Sequence, residues 1–430
     1  MATSAAHADT TVATPESASA RAIAVQLESY LDRAIRDDDF SGAIMLGRGG
    51  RTVFARATGL ASRDYETANR IDTRFNFASI GKLFTGTAIL RLVEQGLVRL
   101  DASFGTYLPA YPDADIARQV TIEQLLTHSS GLGNYWEAIA SRAPQAYVNL
   151  PDFVPLFQGT PLVSEPGAQF GYSNVGYVVL GLVIEAVTGI SFHDHVQQTI
   201  FAPLGMRSSG YWPLDLVVPN RSTGFVRDEQ AHGAWRSNLF VNQFRGHSAG
   251  GGYSTVGDLI AFARAWREDR LYSRAMREEA ARGRFGYRRG QYGLGISIET
   301  VNGHRIVGHS GGHVGIAGEL MILEDLGWDV AILTNGDVDG FWGLNAFVKD
   351  LLCGESASTR GYWHSLALVR AAANDGLDAA RAFQARRAPG TEARPGVLEV
   401  EAVKARHRGR PEAADRIVAL AAELEASAPA

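Results

Sequence analysis

Between residues 75 and 96 the chain reads FNFASIGKLFTGTAILRLVEQG, and Ile80, Leu83, Phe84, Thr87, Leu90 and Val93 recur at the three- and four-residue spacing of one buried helical face. The pattern predicts a helix over residues 79–95, stopped by Gly96. The same spacing sets Ile23, Leu27, Tyr30, Leu31 and Ile35 on one side of a helix over 21–36. Between the two helices, strand-like runs at 42–47 and 51–58 meet at Arg48-Gly49-Gly50, which predicts a hairpin. No Gly-Lys-Ser/Thr follows those glycines, so they are read as a turn and not as a phosphate loop.

From residue 96 to about 235 the pattern is helical and loop-rich. Thr121-Ile122-Glu123-Gln124 is a capping box opening a short helix. The apolar run 175–187 is a further helix, entered through Phe170-Gly171-Tyr172-Ser173-Asn174. Beyond Trp235, Gly250 to Gly252 form a turn into a helix over 255–266. Strand signals follow at 292–300, 304–307, 315–323 and 328–334, and a helix over 341–352 covers them. Strands at both ends with helices between require a sheet assembled from distant parts of the chain, an α+β architecture with an inserted helical lobe over about 97–235. Residues 354–430 are rich in Ala and Arg, with helix candidates at 363–386 and 397–425. They are expected to form a helical appendage that packs on the body (21–353) or contacts a protein partner.

Composition narrows the classes. With 46% hydrophobic and 20% charged residues the chain is an ordinary globular one, and a net charge of −5 argues against a nucleic-acid partner. Cys353 is the single cysteine, which excludes an intramolecular disulfide. No apolar run approaches membrane-spanning length. Residues 1–20 are small and polar, with neither basic nor apolar leader regions, so a disordered arm and a cytoplasmic protein are expected. His193-Asp194-His195 lacks a third ligand nearby and is read as a solvated helix face; no metal and no cofactor are expected.

Ser79 and Lys82 stand three apart, so their side chains share a helix face. A serine hydroxyl needs a base to become a nucleophile, and a desolvated lysine is one. Alone, Ser-x-x-Lys is common by chance. Further along, Tyr172 and Asn174 sit at a loop-to-helix junction, and His309-Ser310-Gly311-Gly312 follows a strand, its glycines permitting close backbone approach by a substrate. His128, beside Ser129 and Gly131, reads as a structural histidine.

Taken together, Ser79-Ile80-Gly81-Lys82, Tyr172-Ser173-Asn174 and His309-Ser310-Gly311 resemble the three motifs of the serine β-lactamase and penicillin-binding-protein superfamily, in its class C, D,D-peptidase and family VIII esterase branch. Residues 125–132 (LLTHSSGL), 250–259 (GGGYSTVGDL) and 332–336 (ILTNG) are similar to that branch too, so the resemblance covers roughly 22–352. It implies a β-lactamase/transpeptidase-like fold, an antiparallel sheet flanked by helices. It also implies Ser79 as acylated nucleophile, Lys82 and Tyr172 as base and acid, and Asn174 holding Lys82 and the substrate. His309 would orient the substrate's polar end or tune Tyr172, Ser310, Gly311 and Gly312 would contact substrate, and the Ser79 and Gly312 N–H groups would be the oxyanion donors.

A rival Gly-x-Ser-x-Gly elbow at Ser248 or Ser310 needs a helix immediately after the serine, and glycines follow instead. The expected activity is hydrolysis of carboxylic esters or small amides. β-Lactamase or D,D-peptidase/D-aminopeptidase action is the alternative, and a silent binding scaffold the second.

Overall fold

A computed structural model describes residues 15–36, 40–140, 144–228, 234–288, 290–336, 338–389, 391–407 and 409–426. Among these, eight strands form the main sheet: β1 Gly42–Arg48, β2 Arg51–Thr58, β3 Phe285–Tyr287, β4 Gly290–Tyr292, β5 Ser297–Val301, β6 His304–His313, β7 Ile316–Leu323 and β8 Trp328–Thr334. The sheet is antiparallel, in the order β2-β1-β8-β7-β6-β5-β4-β3. The first strand zips onto the last, Gly42 opposite Thr334 and Arg48 opposite Trp328, so the two ends of the pattern do share one sheet. The run expected at 292–300 is two strands, because the chain turns through Gly293 and Gly295, the latter at φ 80°. Conversely β6 outlasts its apolar residues and runs on to His313, since Gly311 and Gly312 find partners in Gly318 and Ala317 of β7.

Helices cover both faces. Named in chain order, α1 is Pro15–Arg36, α2 Gly81–Glu94, α3 Asn174–Thr188, α4 Val256–Arg267 and α5 Val338–Cys353. α1 starts before residue 21, at a proline whose fixed φ suits a first helical turn; residues 15–20 of the expected arm are therefore helical, and residues 1–14 lie outside the described residues. Strand alternation divides the core. Ile44, Leu46, Val330 and Ile332 pack on Leu27 and Leu31 of α1 and on Phe341 and Leu344 of α5. Ala43, Met45, Ala331 and Leu333 face the opposite cluster, which joins α2, α3 and α4. β8, between both layers, is buried at all seven residues. Arg267 ties α4 to this strand: its Nε and Nη2 donate to Asp329 Oδ1 at 2.9 and 2.8 Å, and Nη2 also reaches the Trp328 carbonyl at 2.6 Å.

The appendage is four helices instead of two: α6 Ala357–Asn374, α7 Leu377–Ala385, α8 Pro395–His407 and α9 Pro411–Ala426. Gly376 at φ 95° and Gly409 at φ 70°, the latter followed by Pro411, break the two runs. These helices have a core of their own around Leu368, Leu398, Ile417 and Leu420. Trp363 of α6 fastens them to α5, its Nε1 donating to Asp350 Oδ2 at 2.6 Å. No single helix among the described residues is long and apolar enough to cross a membrane.

Candidate active site

The residues ahead of α2 make a tight turn. Phe75–Asn76 pairs with Tyr253–Ser254, and the Phe77 N–H donates to the Gly252 carbonyl at 2.9 Å. Ala78 is then forced to φ 44°, its N–H held by Asn76 Oδ1 at 2.8 Å and its carbonyl by the Gly251 N–H at 3.2 Å. A non-glycine residue in this region stores on the order of 1–3 kcal/mol, released only if the surrounding contacts let go. The turn presents Ser79 from a 3-10 segment, Ala78–Ile80, so the nucleophile candidate stands just ahead of α2 instead of in its first turn.

Lys82 is fully buried, and its Nζ donates to Ser79 Oγ at 3.3 Å, Asn174 Oδ1 at 2.7 Å and the Ala249 carbonyl at 2.7 Å. None of these partners carries charge. Desolvation therefore acts unopposed and drives the lysine well below its ordinary pKa. Its Nζ also lies 4.8 Å from the Tyr172 ring centre and 5.2 Å from that of Tyr177.

The second segment is set by a helix cap. Ser173 is the N-cap of α3, its Oγ accepting from the Gly176 N–H at 3.0 Å, which places Asn174 at the first helical position. Asn134 clamps both sides, donating from Nδ2 to the Tyr172 carbonyl at 2.8 Å and accepting from the Asn174 N–H at 2.9 Å. The Tyr172 phenol hydrogen-bonds Ser79, and burial raises its pKa, keeping it protonated. Under its ring, 4.2 Å away, lies the buried His128 at φ 57°, whose Nδ1 accepts from the Ser173 N–H at 3.1 Å. Burial, above all, pushes that imidazole well below its ordinary pKa. His128, read from the sequence as structural, lies directly beneath the site, and its Nε2 is buried without a hydrogen-bond partner among the described residues.

The third segment divides by strand alternation. His309 points inward and is buried; its Nε2 meets the Tyr292 hydroxyl at 2.9 Å and its Nδ1 donates to the Ser310 carbonyl. With both nitrogens engaged and the pKa pushed down to about 3, chiefly by burial, the ring supports the strand and has no free nitrogen for the substrate contact expected of it. Ser310 Oγ accepts from Arg288 Nη1 at 3.3 Å. Gly311 passes so close to the turn that a Cβ there would lie 2.5 Å from the Phe77 carbonyl oxygen and 2.8 Å from the Ser79 nitrogen. Gly312 is exposed and lines a cleft with Ser79, Asn174, Trp136, Gln243 and His313.

One other reading changes, and two further positions are clarified. His193 and His195 are buried, not solvated, and His193 Nε2 donates to the Gly246 carbonyl at 2.9 Å. Ser248 is fully buried against Gly181, so it forms no exposed elbow. His247 was invisible as a site residue, yet its Nδ1 accepts from the Ala249 N–H at 3.0 Å and its Nε2 meets the Tyr135 hydroxyl at 2.9 Å. It thereby fixes the Ala249 carbonyl that holds Lys82. Arg288, Asn134 and Trp136 were missed likewise, because each reaches the site from a separate loop with no motif of its own.

Residues 29–351 match the family model described as Beta-lactamase. Penicillin-binding protein 4* of Bacillus subtilis (strain 168) is 27% identical over 333 residues, 73% of this chain and 72% of the relative. Esterase EstB of Burkholderia gladioli is 34% identical over 207 residues, 45% of this chain and 52% of that one, about half its length. Among solved structures, a penicillin binding protein from Bacillus halodurans superposes with a TM-score of 0.69 at 28% identity, covering 76% of this chain and 99% of that one.

Proposed function

This chain belongs to the beta-lactamase family and is a serine hydrolase, and we propose that it cleaves carboxylic esters or small amides through an acyl-enzyme on Ser79. The observation that carries the reading is Lys82: a buried amine without a counter-charge, depressed in pKa and 3.3 Å from the Ser79 hydroxyl.

In this mechanism neutral Lys82 takes the Ser79 proton as Oγ attacks the substrate carbonyl carbon. The oxyanion is held by the backbone N–H groups of Ser79 and Gly312, each such donor worth about 2.7–4 kcal/mol. The tetrahedral adduct collapses as the protonated Tyr172 phenol gives its proton to the departing alcohol or amine oxygen or nitrogen. The proton on Lys82 then restores the phenol, and Asn174 keeps the ammonium in place meanwhile. Water repeats the sequence on the acyl-enzyme, releasing the acid and Ser79. Lys82 and Tyr172 thus act as one coupled unit, with the lysine as acceptor because burial favours its neutral form and the phenol as donor because burial favours its protonated form.

The esterase among the relatives supports the ester arm. A second reading, a β-lactam or D-peptide substrate, is favoured by Arg288, whose guanidinium beside Ser310 suits a substrate carboxylate. Turnover of p-nitrophenyl butyrate, nitrocefin and a D-Ala-D-Ala peptide ranks the readings, with Ser79→Ala as control. Strongest turnover is expected on the ester, with a phosphonate adduct located on Ser79 by mass spectrometry. Faster nitrocefin hydrolysis would install the second reading, and an adduct on another serine would end the mechanism.

A further inference from the structure

His128 is a costly residue for a position that only fills space. Its backbone is held at φ 57°, a left-handed region that Gly and Asn enter most readily. Its side chain is fully buried, yet Nε2 has no hydrogen-bond partner among the described residues, which is unfavourable for a polar atom out of reach of water. An apolar ring would fill the same space without that penalty, and an asparagine would suit the backbone at least as well. The imidazole does what neither can, because it offers a flat face and an acceptor at the edge of the same ring.

Both are used on the segment that carries the phenol. The His128 carbonyl accepts from the Gly171 N–H at 2.7 Å and Nδ1 accepts from the Ser173 N–H at 3.1 Å, so one residue holds the backbone on either side of Tyr172. Between these two grips its ring lies against that of Tyr172, with centres 4.2 Å apart and planes 32° apart. Burial drives the imidazole well below its ordinary pKa, which leaves the Nδ1 lone pair free to accept. The ring is packed in turn against Tyr177 and Tyr292, both with centres 4.9 Å away. Those two are anchored, Tyr177 by its hydroxyl to the Leu126 carbonyl at 3.0 Å and Tyr292 by its hydroxyl to His309 Nε2 at 2.9 Å. The imidazole therefore cannot give way to the phenol without disturbing hydrogen-bonded neighbours.

Resting on the mechanism above, in which the Tyr172 phenol protonates the leaving group, we infer that His128 is a positioning residue for that proton transfer, its ring and its acceptor together aiming the phenol at the departing atom. In that step the bond from acyl carbon to leaving oxygen breaks with its electron pair going to the oxygen, the phenol proton joins that oxygen, and Lys82 reprotonates the phenolate. His128 exchanges no proton. This role has a consequence that general support of the fold does not. A p-nitrophenolate departs without a proton, whereas an ethoxide must receive one as it leaves. A misdirected phenol therefore slows an alkyl ester far more than an aryl ester of the same acid.

The test is kcat/KM, which reports acylation, for p-nitrophenyl butyrate and ethyl butyrate, the latter followed by acid release in a pH-stat. It is measured in the native chain and in His128→Asn, His128→Phe and Tyr172→Phe. Asparagine suits the backbone and keeps an acceptor near the Nδ1 position but gives up the ring, whereas phenylalanine keeps the ring and gives up the acceptor. Both esters are read on one preparation, so the ratio of the two values does not depend on how much of it is folded. A misplacement of about 1 Å costs on the order of 100-fold, so the aryl-to-alkyl ratio should rise about 10- to 100-fold in the His128 variants and at least as far in Tyr172→Phe. A rise in only one His128 variant keeps the positioning role and assigns it to the ring or to the acceptor. A ratio that moves in neither while rising in Tyr172→Phe, or failure of both His128 variants to fold, overturns the inference and leaves the mechanism standing. A ratio unmoved in Tyr172→Phe, or no turnover of ethyl butyrate by the native chain, removes the phenol as acid and the inference with it.

Discussion

Replacing Asn174 by Asp changes one atom at the point where the proposed mechanism is most exposed. Asn174 Oδ1 accepts from Lys82 Nζ at 2.7 Å, and Asn174→Asp puts a carboxylate there without altering shape. The fold should accept it, because position 174 opens α3, where an acidic residue complements the helix dipole. The electrostatics change sharply. An ordinary lysine at neutral pH is neutral in only about one molecule in 2,500, equivalent to about 4.6 kcal/mol of lost base. Burial without a counter-charge removes much of that cost in the native chain. A contacting carboxylate raises a base's pKa by about 1–3 units, which corresponds to about 1.4–4 kcal/mol and a 10- to 1,000-fold loss at pH 7.

The sign gives the signature. A base works when deprotonated, so activity is gained as pH rises through the folded pKa, and the acid limb of kcat/KM should move upward by the same 1–3 units. Profiles of p-nitrophenyl butyrate hydrolysis from pH 5 to 10 measure it. A variant whose rate falls uniformly, with its acid limb unmoved, would refute Lys82 as the titrating base and leave Asn174 as a substrate contact alone.

Three further outcomes are expected. Gly311→Ala drives a methyl into the Phe77 carbonyl and the Ser79 nitrogen; kcat should drop about 100-fold through displacement of the nucleophile, with a stability loss of about 1–3 kcal/mol, and an unchanged kcat would show that β6 does not brace the turn. Arg267→Ala strands the buried Asp329 and should cost about 3–5 kcal/mol in urea unfolding; a loss below 1 kcal/mol would show the pair is dispensable. His247 and His309 are buried with pKa values lowered to about 3 from the ordinary 6.5. Between those values the unfolded chain binds more protons, so their contribution is complete above about pH 6.5 and is lost as pH falls, each adding a slope of up to about 1.4 kcal/mol per pH unit. Equal unfolding free energies at pH 7 and pH 5 would contradict it.

Lys82 shows where sequence reasoning stopped. Its spacing from Ser79 was legible, because three residues along a helix always share a face. Its depressed pKa was not, because that depends on Asn174, Ala249 and the tyrosine rings closing around it from segments 92 and 167 residues away. His309 shows a different limit. The motif placed it correctly on a strand, but only the pairing of β6 with its neighbours decided which face its ring took, and that face is the inner one. The histidines at 193 and 195 were misread for the same reason, since a polar fragment carries no record of what packs over it.

What the sequence determined by itself was local and periodic: the amphipathic helices, the paired strands, the capping box at Thr121, and the order of three short motifs whose residue types admit one kind of chemistry. What only the tertiary structure decided was every property that depends on burial. It set the strain at Ala78, the depressed pKa of Lys82 and the burial of His309 on the face of β6 that also brings Gly311 against the Ser79 turn. Periodicity is written in neighbouring residues, whereas desolvation is a sum over whatever the folded chain brings near, and that sum exists only once the fold is formed.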